Sequence, residues 1–142
     1  MLWQLALPVL KIHPRLKPGF DRRVSASHLK PADIWIQAAS AGEAYLAVAL
    51  IKKLSSNRRV KILATTITVQ GMEILNNYIG SVSSAGNIDL SIEWFPFDRP
   101  GLMADAVQTI NPSVMILLET ELWPGLIHCL KENQTRIIIA NA

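Results

Sequence analysis

The stretch Ile34-Trp-Ile-Gln-Ala-Ala-Ser-Ala-Gly-Glu-Ala-Tyr-Leu-Ala-Val-Ala-Leu50 decides the fold. Ile34–Ala38 is a short apolar run of the kind that fills a strand covered on both faces. Ser40, Ala41 and Gly42 make a tight corner. From Glu43 to Leu54 the pattern is that of a helix with apolar residues on most sides. One carboxylate therefore stands where strand gives way to helix. Backbone N–H groups and the helix dipole stabilise an acid there, so Glu43 reads either as support for the helix or as a group placed for chemistry. The small side chains of Ser40, Ala41 and Gly42 leave room for a substrate hydroxyl, whose proton an ionised carboxylate can accept.

The same alternation continues outward. Strands are expected at Val60–Thr66, Ile92–Phe95, Val114–Leu118 and Arg136–Ala140. Helices are expected at Met72–Ile79, from Pro100 to the Asn111-Pro112 stop, and at Pro124–Glu132. Gly80–Ser91 reads as a small-polar loop. Five strands separated by helices imply right-handed crossovers and an open parallel sheet with helices on both faces, a Rossmann-like α/β fold. In such sheets ligands gather beyond the carboxyl ends of the strands. That singles out Ser40–Glu43, Thr65–Gly71, Pro96–Arg99, Glu119–Glu121 and Asn141.

Composition excludes several classes. Of 142 residues, 50% are hydrophobic and 18% charged, which speaks for a packed core and against disorder. A single cysteine, Cys129, cannot form an internal disulfide and fits a reducing setting. With three scattered histidines it offers no metal-ligand spacing. The net charge of +3 is uneven: residues 1–30 carry six cations against one anion, residues 31–142 eight against ten. The basic character belongs to the amino-terminal segment, so a nucleic-acid face spread over the domain is not expected. Met1–Leu10 is apolar but short and broken by Pro8. It is no membrane span, and it reads equally as a shallow interfacial anchor on anionic lipid or as a segment packed on the domain. The expected division is thus a basic, apolar segment, 1–30, and an α/β domain, 31–142.

Several catalytic signatures are missing. There is no Gly-x-Gly-x-x-Gly after the first strand, no P-loop and no Gly-x-Ser-x-Gly elbow. A receiver-like domain is disfavoured because no Asp follows the first strand. Glu119 and Glu121, directly after the apolar run Val114–Leu118, are costly unless they face a cleft or find donors. Thr65, Thr66 and Thr68 with Gly71 offer hydroxyls and amides for a sugar or phosphate, though Thr is also a good strand former. Trp3, Trp35, Trp94 and Trp123 read as core or cleft wall.

Taken in order, Ala39-Ser-Ala-Gly-Glu43, Thr65-Thr-Ile-Thr-Val-Gln-Gly71, Phe95-Pro-Phe-Asp98, Glu119-Thr-Glu-Leu-Trp-Pro124 and Ile139-Ala-Asn-Ala142 resemble the amino-terminal domain of the 3-deoxy-D-manno-octulosonic acid (Kdo) transferases. The match runs from about Arg15 to the last residue, and the Glu-Thr-Glu-Leu-Trp-Pro hexapeptide is its most specific part. The resemblance implies the amino-terminal half of a GT-B glycosyltransferase, an inverting enzyme that moves Kdo from CMP-Kdo to a lipid A precursor. It implies Glu43 as general base and Glu119 as a transition-state stabiliser; Ser40, Gly42, Thr66, Thr68, Gly71 and Glu121, at the strand ends beside them, are the substrate-binding candidates. It implies no metal and no cofactor beyond the donor substrate CMP-Kdo, and a place on the cytoplasmic face of the bacterial inner membrane. The alternative is a non-catalytic α/β module that binds lipid A or a partner.

Three departures stand out. Gly125 replaces the family's usual Asn, which is expected to loosen the start of that helix. Val69-Gln70 replaces a commoner Pro-Thr pair, and the amino-terminal anchor looks shortened. The chain ends at the fifth strand, so the donor domain is expected to be missing and the chain alone to be inactive.

Overall fold

The computed structural model describes residues 8, 11–14, 17–54, 58–82, 87–119 and 122–140. The elements run α1 (Phe20–Arg23), β1 (Ile34–Ala38), α2 (Ala41–Lys53), β2 (Val60–Thr66), α3 (Val69–Val82), β3 (Ile88–Trp94), α4 (Pro100–Ile110), β4 (Val114–Leu118), α5 (Pro124–Glu132) and β5 (Arg136–Ala140). All five strands are parallel, in the order β3-β2-β1-β4-β5.

The expected α/β sheet is therefore present, with helices on both faces. Successive side chains of a strand point to opposite sides. Trp35, Leu63, Phe95, Met115 and Leu117 meet α4 and α5, while Ile36, Ala38, Ile62, Ala64, Ile116 and Leu118 meet α2 and α3. Trp35, Ile36, Leu63 and Leu117 have no exposed surface; full burial of an aliphatic side chain contributes roughly 1.5–3 kcal/mol.

Four boundaries differ from expectation. α2 begins at Ala41 rather than Glu43, because the Ser40 side chain caps it. α3 covers Val69–Val82 rather than Met72–Ile79, because the Thr68 hydroxyl accepts the Gly71 N–H and starts it early. β3 covers Ile88–Trp94 rather than Ile92–Phe95. Its alternating Ile88, Leu90, Ile92 and Trp94 is the pattern of a half-buried edge strand, and every residue pairs in register with β2, from Val60↔Ile88 to Thr66↔Trp94. The expected loop Gly80–Ser91 is correspondingly shorter. The fourth is α1, which no sequence pattern announces.

The described part of the amino-terminal segment packs on the domain. Ala26 and Leu29 join the core around Trp35. The Phe20 ring lies 5.7 Å from that of Phe97. Gly19 has φ 67, and a Cβ there would come within 2.3 Å of the Trp94 indole. Of the cations expected to face lipid, Arg23 is buried, and the exposed Arg22 pairs with Glu93. Lys11, Lys17 and Ile12 are exposed. Of the possible anchor Met1–Leu10, all residues but Pro8 lie outside the described residues. Among the described residues no helix is long and apolar enough to cross a membrane.

Candidate active site at the carboxyl edge of the sheet

The strand order reverses at β1. β2 and β3 lie to one side of it, β4 and β5 to the other. Helices leaving β1 and β4 therefore diverge, and the crevice outside the carboxyl ends of these two strands is the place where an open α/β sheet binds its ligand. β1 pairs directly with β4, from Ile34↔Val114 to Gln37↔Leu117. Glu43 follows the first of these strands and Glu119 the second, so the two candidate catalytic carboxylates flank the switch point.

Glu43 is 4% exposed. Its Oε1 accepts the Ser40 hydroxyl at 2.8 Å and its Oε2 accepts the Ala39 N–H at 2.8 Å. The Ser40 Oγ in turn accepts the Glu43 N–H at 3.2 Å. Ser40 is the extended N-cap and Glu43 the third helical residue, so this is a capping box whose carboxylate reaches one residue further back than usual. The helix-supporting role expected of Glu43 is the one this geometry displays. Gly42 is exposed, and a Cβ on it would meet only Ser40 Oγ, at 3.8 Å. The space beside the corner is open.

Glu119 differs in every respect. It is exposed, it sits in the left-handed region at φ 57, and its N–H donates to the Ala140 carbonyl of β5 at 2.8 Å. A side chain with a Cβ pays roughly 1–2 kcal/mol for that conformation. Strain of this kind persists where the surroundings enforce it, and it clusters at functional sites. Glu121 lies outside the described residues.

The threonine candidates form a second corner, on the strand beside β1. Thr66 has no exposed surface, and its Oγ1 accepts the Thr68 N–H at 3.4 Å. Thr68 Oγ1 accepts the Gly71 N–H at 3.0 Å. A Cβ at Gly71 would lie 2.3 Å from Thr66 Oγ1 and 2.9 Å from Thr68 Oγ1. These three residues are together, as expected, but they build the start of α3. The Thr66 side chain is closed off from any ligand.

Sequence reasoning singled out the positions of Thr65 and Asp98 at this edge without their contacts, and it missed Gln37 and the burial of Arg23. Trp35 Nε1 donates to Thr65 Oγ1 at 2.8 Å, and Thr65 Oγ1 donates to Gln37 Oε1 at 2.6 Å. All three are fully buried, and Gln37 Nε2 has no acceptor among the described residues. Asp98 accepts the Gly125 N–H at 3.0 Å and the Leu126 N–H at 2.7 Å. The expected loosening at Gly125 is thereby corrected. A Cβ at 125 would meet Asp98 Oδ1 at 2.5 Å, so glycine is what lets this carboxylate grip the helix start. Arg23 is buried. Its Nε donates to the Phe95 carbonyl at 3.1 Å, its guanidinium lies 4.3 Å from the Phe97 ring centroid, and burial brings its pKa down to about 10. Gln37 and Thr65 were visible as two hydrogen-bonding residues in otherwise apolar strands. Asp98 stands in the Pro96–Arg99 group and the Phe95-Pro-Phe-Asp98 motif, but nothing local announces its contact with α5 or the burial of Arg23.

Trp35 is core, as expected; Trp94 and Trp123 are half-buried, Trp123 with its ring 5.0 Å from that of Phe95. Trp3 lies outside the described residues. Cys129 is a free, buried thiol whose pKa is raised, chiefly by burial. Among the described residues no three of His, Cys, Asp and Glu gather as a metal would need.

An all-parallel five-stranded sheet with helices on both faces defines a Rossmann-like α/β domain. The model of the family described as 3-deoxy-D-manno-octulosonic-acid transferase (kdotransferase) matches residues 15–142. The chain is 32% identical to the bifunctional glycosyltransferase/methyltransferase of Fusobacterium nucleatum, over 99% of this chain and 22% of that protein. It is 33% identical to the 3-deoxy-D-manno-octulosonic acid transferase of Haemophilus influenzae, over 90% of this chain and 29% of that protein. To the Bordetella pertussis enzyme of the same name it is 26% identical, over 78% of this chain and 25% of that protein. The chain belongs to the Kdo transferase family of glycosyltransferases. It spans between a fifth and a third of the length of these relatives.

Proposed function

We propose that this chain is the acceptor-binding part of a Kdo transferase, which moves Kdo from the donor CMP-Kdo to a hydroxyl of a lipid A precursor in lipopolysaccharide biosynthesis. The observation that carries the reading is the placement of Glu43 and Glu119 after the two strands that flank the switch point. In this reading Glu43 is the general base and Glu119 steadies charge in the transition state. A sugar hydroxyl is a weak nucleophile, and a positioned base contributes roughly 10²–10⁴-fold.

Glu43 Oε1 already receives a hydroxyl, that of Ser40. An acceptor hydroxyl entering beside Gly42 donates to the same oxygen with the same chemistry, as the Ser40 hydroxyl turns away. Ser40 is thus the placeholder for the nucleophile in the resting site. The donor, CMP-Kdo, is held by the carboxyl-terminal domain typical of a two-domain glycosyltransferase. The exposed Lys11, Lys17 and Ile12 support docking on an anionic membrane surface, which for this substrate is the cytoplasmic face of the inner membrane.

A second reading has its own observation. Both carboxylate oxygens of Glu43 are engaged in the helix cap, and the residue is 4% exposed. That favours a non-catalytic module that binds lipid A or a partner. The two readings separate when the chain is mixed with the carboxyl-terminal part of the Haemophilus influenzae relative, CMP-Kdo and a tetraacylated lipid A precursor. The first expects a slower-migrating glycolipid, none from the chain alone, and about a hundredfold loss or more for Glu43→Gln. Equal transfer by Glu43→Gln removes the base assignment. Binding of the precursor without any transfer leaves the second reading.

A further inference from the structure

We propose that Asp98 is a positioning residue for Glu119, acting through the start of α5; this rests on the role given to Glu119 above. α5 begins with no cap of its own. Trp123 occupies the N-cap and supplies no side-chain hydrogen bond, and Pro124, the first helical residue, has no N–H. The next two amides, of Gly125 and Leu126, both donate to one carboxylate, Asp98, from the connection that follows β3. The cap that a local Ser or Asp would provide comes instead from 27 and 28 residues earlier. A negative charge at that end also complements the helix dipole.

Asp98 is itself held. The Phe97 N–H donates to the Arg23 carbonyl at 2.9 Å and the Arg99 N–H to the Phe97 carbonyl at 2.6 Å. The Arg23 side chain holds the Phe95 carbonyl and covers the Phe97 ring. The glycine at 125 is shaped to this contact, since any Cβ would strike the Asp98 carboxylate.

The consequence concerns the connection from β4 to α5. At its near end Glu119 is tied to β5 through its N–H, in a left-handed conformation that it does not prefer. At its far end Trp123 packs on Phe95 and the next turn is gripped by Asp98. A strained residue keeps its conformation only while its surroundings enforce it. Asp98 is the anchor at the α5 end, and through it the segment around Arg23 sets where the Glu119 carboxylate stands.

The test uses the 142-residue chain with Asp98→Ala, Asp98→Asn and Gly125→Ala, the last displacing the carboxylate while leaving it present. Amide resonances are read by two-dimensional NMR, and kcat and KM for transfer are read in the mixed assay above. In Asp98→Ala and Gly125→Ala the amide signals of positions 125 and 126 move, and that of Glu119 moves with them. The expected fall in kcat is about tenfold or more with KM within about twofold, the pattern of a group that acts in the transition state. Asp98→Asn, which keeps one acceptor oxygen, lies between. If the 125 and 126 signals move while Glu119 stays, Asp98 caps α5 and does nothing more, and the proposal fails. A parent that gives no transfer overturns the functional reading instead, and the Glu119 signal still decides for or against Asp98. Should Asp98→Ala not fold, Gly125→Ala and Asp98→Asn decide the same question.

Discussion

Ser40 and Glu43 cap one another: the Ser40 hydroxyl donates to Glu43 Oε1 at 2.8 Å while its oxygen accepts the Glu43 N–H at 3.2 Å. Two residues singled out for chemistry are thus also the two that start α2. Their roles separate by substitution. Ser40→Ala removes an N-cap and is expected to cost about 1 kcal/mol. Glu43→Ala also leaves the Ala39 N–H without its acceptor and is expected to cost about 1–3 kcal/mol. Urea denaturation of both variants checks this; a Glu43→Ala domain as stable as the parent would show that the carboxylate does not hold the corner.

The chain of hydrogen bonds from Trp35 through Thr65 to Gln37 has one hydroxyl at its centre. Thr65→Val keeps the shape and removes that hydroxyl, leaving the Trp35 N–H and the Gln37 carbonyl oxygen buried without partners. The expected loss is about 1–3 kcal/mol for each group. Thr65→Ser retains the hydroxyl and is expected to lose under about 1.5 kcal/mol, the methyl alone. Chemical denaturation monitored by tryptophan fluorescence distinguishes the two.

Two glycines in helices make opposite predictions. A Cβ at Gly71 would overlap the Thr66 hydroxyl, whereas at Gly101 nothing lies within 4 Å. Gly71→Ala is expected to destabilise by about 1–3 kcal/mol through overpacking. Gly101→Ala is expected to stabilise by up to about 1 kcal/mol, since alanine is the better helix former. Midpoints from differential scanning calorimetry test the pair; a neutral Gly71→Ala would mean that the Thr66 side chain yields freely.

His28 has its pKa lowered from its ordinary value, first by burial and then by Arg22, with Glu93 pulling the other way from 3.7 Å. Protonation is therefore less favourable in the folded state than in the unfolded one. The contribution is complete above the unfolded value of about 6.5 and is lost as pH falls through the lowered folded value. The melting temperature of the parent is expected to fall between about pH 7.5 and about pH 5, and that of His28→Gln to fall less. Parallel slopes for the two proteins would show that another group is responsible.

The central strands were legible because their apolar runs answer to one local rule: a strand covered on both faces has no polar side. β1, β2 and β4 were placed residue for residue for that reason, β5 by its unbroken Ile137–Ile139 run although it is an edge strand, and α4 and α5 by their prolines and apolar faces. β3 was misplaced because Asp89, Ser91 and Glu93 alternate with its apolar residues beside a run of small polar ones, whereas β5, at the opposite edge, keeps a continuous apolar run. The early starts of α2 and α3 did have a signal. Ser40-Ala-Gly-Glu43 spells a capping box, and Thr68 stands three residues before Gly71 as an N-cap does. Weak helix formers at Gly42 and Val69 concealed both starts.

The sequence by itself determined the alternation of strand and helix, the parallel class of the sheet and the motifs that mark the family, since periodicity, capping and turn chemistry act over a few neighbouring residues. Only the tertiary structure decided that β1 and β4 lie side by side with Glu43 and Glu119 beyond their ends, that the Glu43 carboxylate folds into its own helix cap, and that Asp98 starts a helix 27 residues away. Those facts depend on how distant segments return to one another, and no local pattern of side chains encodes the path.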